Sequence, residues 1–260
     1  MSDILSSIAD YTKIRIAETK KKISQFEMES RALAIKCNTG FPFEQALTAK
    51  DIAFICECKK ASPSKGIISS DYRYLEIAKA YEAAGADCIS VLTEPKWFLG
   101  SDRHLAEIAS SVSVPCIRKD FVVDEYMIYE AKTLGASAVL LICSLLNTDD
   151  LQKYISICDR LGLSALVEAH NEQEITSAIH AGARIIGVNN RNLKNFKVDI
   201  HNSGNLRKFV PEGIIFVAES GISTKDDIQV LRRAKVNGVL IGEKLMIAND
   251  KKAALDELRG

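Results

Sequence analysis

With 260 residues, 47% of them hydrophobic, the chain has the apolar material for one large domain or two small ones and is long enough to fold unaided. Lysine plus arginine and aspartate plus glutamate both number 34, a balance that excludes general attraction to nucleic acid or an anionic membrane, so any anion site must be local. Seven scattered cysteines without CxxC spacing, and four histidines without HxH or HExxH spacing, point to a reducing compartment, no disulfides and no structural metal.

The chain opens on MSDILSSIADYTKIRIAETKKK, an amphipathic charged stretch with no signal-peptide core, and no later run reaches the length of a membrane span, which predicts a cytoplasmic protein. Residues 1 to about 50 form a helical extension ahead of the first strand. It either covers the bottom of the fold or acts as a flap at the active-site mouth, and the pattern leaves both open. AFICECKK from Ala53 is the first strand, in which Ile55, Glu57 and Lys59 point one way and Phe54, Cys56 and Cys58 the other. A strand's helix-facing side must be apolar, so Glu57 and Lys59 are expected inside a barrel at its C-terminal rim, where such folds keep their chemistry. The following loop, Lys60 to Gly66, carries cations and hydroxyls without P-loop spacing and reads as a mobile lid.

Further along, YEAAGADCISVL, EAKTLGASAVLLI, IHAGARIIGVN and RRAKVNGVLIG repeat one unit of helix end, tight turn and short strand. Their turn positions, Gly85, Gly135, Gly182 and Lys235, lie roughly 50 residues apart, the spacing of two strand-plus-helix units. AFICECKK, VPCIRKDF, SALVEA and IIFVAES supply the alternate strands, and Asn147 and Ser223-Thr224 mark helix starts. Near-continuous apolar strands alternating with amphipathic helices imply a parallel sheet, and eight units favour an α/β architecture closed as a (β/α)8 TIM barrel. Residues 1–260 are therefore expected as one domain, with 1–50 the extension and 51–260 the barrel. An open doubly wound sheet is the rival, but its dinucleotide fingerprint is missing.

The same alternation places Lys119, Glu168, Asn189, Arg191 and Glu219 at the ends of other strands. Several ionisable groups converging on one rim cost desolvation without improving packing, which favours a catalytic site over mutual ion pairs. Ser220-Gly221 after strand seven and Gly242 after strand eight stand where barrels hold a phosphate on backbone N–H groups, with the Glu243 carboxylate turned away from the anion.

The segments CECKKASPSKG, LTEPKWFLGS, IRKDFVVDEYMIYEA, LVEAHNEQE, IGVNNRNLKNF, VAESGI and LIGEKLM resemble indole-3-glycerol phosphate synthases from strand one to strand eight, and the helical extension is also family-like. That resemblance implies conversion of 1-(2-carboxyphenylamino)-1-deoxyribulose 5-phosphate into indole-3-glycerol phosphate with loss of carbon dioxide and water. It implies no cofactor, and as partner a phosphorylated small molecule rather than nucleic acid or membrane. The chain is expected to be a monomer, at most a weak homodimer. By resemblance Lys119 is the general acid at the substrate ketone, Lys59 contacts the substrate carboxylate and assists a later proton transfer, and Glu168 handles protons during dehydration. Glu57 lies close to Lys59, and Glu219 orients the lysines. Arg191, Asn189 and Ser62 hold carboxylate and sugar hydroxyls, Phe98 and Phe121 the aromatic ring, and Ser220, Gly221 and Gly242 the phosphate. Two other readings remain: a sugar-phosphate isomerase barrel, which would not require Lys59, Lys119 and the Ser62-Pro63-Ser64 loop together, and a non-catalytic ligand-binding barrel.

Overall fold

Eight parallel strands close into a barrel in the computed structural model, which describes residues 4–37, 40–191 and 198–260. They are β1 (Ala53–Cys58), β2 (Cys88–Leu92), β3 (Cys116–Lys119), β4 (Ala138–Ile142), β5 (Ser164–Ala169), β6 (Ile185–Asn189), β7 (Ile215–Glu219) and β8 (Gly238–Ile241). Each pairs with its chain neighbours, and β8 returns to β1 with Ala53 beside Gly238 and Cys56 beside Ile241. A small hairpin, Ala61–Ser62 with Gly66–Ile67, stands in the loop after β1.

The period-two pattern sorts each strand into two cores. Phe54, Cys56 and Cys58 face outward into the layer shared with the helices, while Ala53 and Ile55 join Ile117, Leu140, Leu166 and Val217 inside the barrel. The turn that the repeat placed at Lys235 does adopt the left-handed conformation, φ 55°, that glycine supplies in the three equivalent turns.

The N-terminal extension serves both ends of the barrel. Helix α1 (Ile4–Lys22) lies at the mouth, α2 (Gln25–Ala34) follows it, and α3 (Pro42–Thr48) plugs the bottom, where Phe43 and Leu47 pack against the interior strand residues. Outside the strands run α4 (Tyr74–Ala83), α5 (Asp102–Ala109), α6 (Tyr126–Thr133), α7 (Thr148–Leu161), α8 (Glu172–His180), α9 (His201–Arg207), α10 (Lys225–Arg233), α11 (Glu243–Ile247) and α12 (Lys251–Arg259). Asn147 caps α7 on the Asp150 N–H, and Thr224 and Asp227 form a reciprocal capping box on α10.

One position breaks the apolar rule for outward faces. Arg118 of β3 is fully buried against α5 and α6, donating to Met127 O at 2.9 Å and pairing with Asp102 at 2.7 Å and Glu130 at 2.8 Å. Burial opposes its charge, and the three surrounding carboxylates outweigh burial and hold it on. All seven cysteines are free thiols, and among the described residues no helix is long and apolar enough to cross a membrane.

Candidate active site

Inside the C-terminal end of the barrel, every odd-numbered strand contributes one ionisable side chain: Glu57 from β1, Lys119 from β3, Glu168 from β5 and Glu219 from β7. This is the interlayered packing of a TIM barrel, with charges where lower layers carry aliphatic groups. Lys119 Nζ stands between two carboxylates, 3.7 Å from Glu168 Oε2 and 3.6 Å from Glu219 Oε2. Burial works against the ammonium, but Glu219, Glu168 and Glu57 prevail and hold its pKa above the ordinary lysine value. Lys59 pairs directly with Glu57.

The carboxylates are driven apart in acidity. Burial would raise Glu168, yet Lys119 and then His170 bring it down to about 2. For Glu219 burial wins, reinforced by Glu168 and Glu57 against Lys119, and its pKa is pushed up to about 7. A divided pair of this kind supplies one group that stays ionised and one that exchanges protons near neutrality.

Two glycines make room for this layer. A Cβ on Gly187 would collide with Glu219 Oε1, and one on Gly242 would collide with Glu57 and Lys59. Gly242 was expected for close approach of a phosphate; within the protein, its missing side chain houses the Glu57–Lys59 pair. Ser220 and Gly221, which line the cavity above this layer, both have positive φ, 68° and 79°, a strained conformation for serine.

Above the layer opens a cavity of about 370 Å³. Lys59, Ser62, Arg191, Ser220, Gly221 and Gly242 line it, as do Glu57, Phe98, Lys119, Phe121, Glu168, Asn189 and Glu219. Phe98 and Phe121 form one wall, their ring centroids 5.8 Å apart at 38°. The loop bearing Phe98 is folded around the buried Glu94 carboxylate, which accepts from the N–H groups of Lys96, Trp97 and Phe98 at 2.7–2.9 Å. Asn189 Oδ1 accepts from Arg191 N at 3.0 Å, and the Asn189 side chain is among the groups that favour the ionised form of Glu168. Glu243 also lines the cavity, with its carboxylate tied to Lys65 of the β1 loop at 3.0 Å. Positions 192–196 of the segment IGVNNRNLKNF lie outside the described residues.

Asp120 and His170 escaped the sequence reading, and for the extension, which that reading left open between bottom and mouth, the structure places α1 at the mouth. Ile4, Leu5 and Ile8 of α1 roof the cavity, and α1 is anchored by Arg15, which reaches both oxygens of Asp120 at 2.9 Å, and by Tyr11 edge-on to Trp97 at 5.5 Å. Asp120 is buried and also accepts from Thr93 Oγ1 at 2.7 Å. His170 contacts Glu168; it lies two residues after that glutamate, so the alternation that singled out Glu168 could have found it.

A profile of the family described as indole-3-glycerol phosphate synthase matches residues 5–258. The chain is 56% identical over 99% of both chains to an indole-3-glycerol phosphate synthase of Ruminiclostridium cellulolyticum. It is 52% identical, over 98% of itself and 99% of the relative, to one from Endomicrobium trichonymphae. Among solved structures, 3-hexulose-6-phosphate synthase superposes with a TM-score of 0.66 at 14% identity, covering 80% of this chain and 98% of that one, a likeness of fold. With the profile running almost end to end and relatives this similar over their full length, the chain belongs to the indole-3-glycerol phosphate synthase family.

Proposed function

We propose that this chain is a carbon–carbon lyase of tryptophan biosynthesis that closes, decarboxylates and dehydrates 1-(2-carboxyphenylamino)-1-deoxyribulose 5-phosphate to indole-3-glycerol phosphate. The observation that carries the reading is the single layer of Glu57, Lys119, Glu168 and Glu219 beneath a cavity walled by two aromatic rings. The aromatic carbon bearing the carboxylate attacks the ketone carbon, and negative charge develops on the ketone oxygen. Lys119, held protonated by its flanking carboxylates, neutralises that oxygen by giving it a proton. Carbon dioxide then departs, and its bonding electrons restore the aromatic ring. In the second half hydroxide leaves as water, taking a proton from an acid, while a base removes the N–H or C–H proton.

Glu168, ionised, is our base for that half; Glu219, titrating near neutrality, orients Lys119 and can return its proton. Lys59 and Arg191 hold the substrate carboxylate, Ser62 and Asn189 the sugar hydroxyls, Phe98 and Phe121 the ring, and Ser220, Gly221 and Gly242 the phosphate. α1 and α3 close the two ends of the barrel, which supports treating 1–260 as one domain. A cytoplasmic site of action accords with seven free thiols.

The test is to incubate the purified protein with the carboxyphenylamino-deoxyribulose phosphate and follow indole fluorescence. Lys119→Met is expected to keep substrate affinity and to lose turnover by about 10² or more. A variant turning over within about tenfold of wild type would remove Lys119 from the acid role.

A further inference from the structure

The two oxygens of Glu168 face different cations. Oε2 looks toward Lys119 at 3.7 Å, on the cavity side, whereas Oε1 lies 3.2 Å from His170 Nε2. The other ring nitrogen of His170, Nδ1, lies 3.0 Å from Glu174 Oε2 and 3.3 Å from Ser144 Oγ. Glu174 is itself fixed in place: Oε2 accepts from the His170 backbone N–H at 2.8 Å, Oε1 accepts from Ser144 at 2.9 Å, and in the first turn of α8 its own N–H donates to the Asn171 cap. Both imidazole nitrogens therefore face carboxylate oxygens.

A neutral imidazole has one N–H and one lone pair, so one of those nitrogens would turn a lone pair toward an anion. Only the doubly protonated ring turns no lone pair toward a carboxylate. The Nε2 contact with Glu168 is off the line of an ideal hydrogen bond, which makes it an ion pair first. We propose that His170 is a positioning residue: as a buried imidazolium it occupies Oε1 of Glu168, keeps that carboxylate ionised, and leaves Oε2 to accept the substrate proton. The charged groups around this pair are Lys119 from β3, Glu219 from β7, Glu57 from β1 and Glu174 from α8, with the Cys143 thiol after β4. Burial of the ring opposes its charge, and Glu168 and Glu174 outweigh burial to lift its pKa to about 10.

The inference rests on Glu168 as the base, and the experiments separate the two. In wild-type protein carrying 15N-labelled histidine, His170 is expected to show two protonated ring nitrogens at about pH 8, where an unperturbed imidazole is neutral. A neutral tautomer there overturns the proposal whatever Glu168 does. His170→Gln keeps an N–H donor but no charge. It is expected to lower kcat by about tenfold with KM within about twofold, and to move the acid limb of the kcat profile up by about one unit, because the base loses an adjacent cation. Glu174→Gln leaves His170 in place and weakens its charge, so a smaller shift in the same direction is expected. Unchanged acid limbs in both variants, or a His170→Gln enzyme that only melts earlier, would sink the proposal. Wild-type turnover by Glu168→Gln would instead sink the assignment of the base.

Discussion

Glu168 and Glu219 are chemically alike and flank one lysine, yet their surroundings send them in opposite directions, and this has consequences for both turnover and stability. Glutamine at 168 keeps the shape and a polar amide but cannot exchange a proton, so Glu168→Gln is expected to retain condensation and stall in dehydration. Rapid-quench analysis should find an intermediate, and indole product at the wild-type rate would move the base to Glu57 or Glu219. Stability follows from the sign of each shift. The Glu219 pKa rises from 4.5 to about 7 on folding, so between those values the unfolded chain has released the proton that the fold keeps. Its contribution is therefore full below the unfolded value and lost as pH rises through the folded one. Glu219→Gln should remove this loss, so the variant's melting temperature is expected to gain on wild type between about pH 5 and pH 8. A difference that does not vary with pH would show that Glu219 titrates normally. Glu168 runs the other way: depressed from 4.5 to about 2, it contributes above the unfolded value, and the contribution is lost as pH falls through the folded one.

Among the elements, the N-terminal extension is the one whose sequence reading left two placements open. The pattern of residues 1–50 leaves open whether it covers the bottom or the mouth, and the structure divides it between the two, α3 below and α1 above. Amphipathicity says that a helix has a buried face but not which surface it meets. Two ion pairs tie α1 to the loop after β3, Lys20 to Asp124 at 2.7 Å and Arg15 to Asp120 at 2.9 Å, and in the second the aspartate side chain has no exposure. Arg15→Ala leaves that carboxylate buried with Arg118 as a more distant partner, at 3.7 Å, and should cost about 3 kcal/mol by chemical denaturation. It should also raise KM, since Leu5 and Ile8 then lose their place over the cavity. Unaltered KM with lowered stability would make α1 a structural strap only. Arg118 was equally hidden from the sequence. Alternation correctly turns Lys119 inward, and by the same rule turns an arginine into a layer expected to be apolar; only the carboxylates of α5, α6 and the β3 loop make that tolerable.

For the molecule as a whole, the barrel and most of the rim could be read from strand alternation alone, because a period of two, once one face is apolar, fixes the direction of every second side chain. Ring positions such as Phe98 and Phe121, and the hydroxyl of Ser62, came only from family resemblance, since loop side chains obey no such period. The space-making part of Gly187 was not legible at all. It depends on where the carboxylate of another strand lies, and no local pattern carries that. The phosphate site is the part of the reading that most needs an outside measurement. Crystals soaked in sulfate are expected to show an anion beside the backbone of Gly221 and Gly242, at the start of α11. An anion only at the opposite end of the barrel, near α3, would count against the assignment.

The pairing of β1 with β8 also bears on how the enzyme comes into being. Ala53 meets Gly238 across nearly the full length of the barrel sequence, so this seam closes the longest loop in the ring. Glu57 and Lys59 stand on one side of the seam, and the space they need, above Gly242, on the other. Helices and neighbouring strand pairs are local and can form early, whereas this junction pays its loop entropy late. During refolding, recovery of turnover should therefore lag behind recovery of helical signal, with the catalytic centre the last part of the chain to exist.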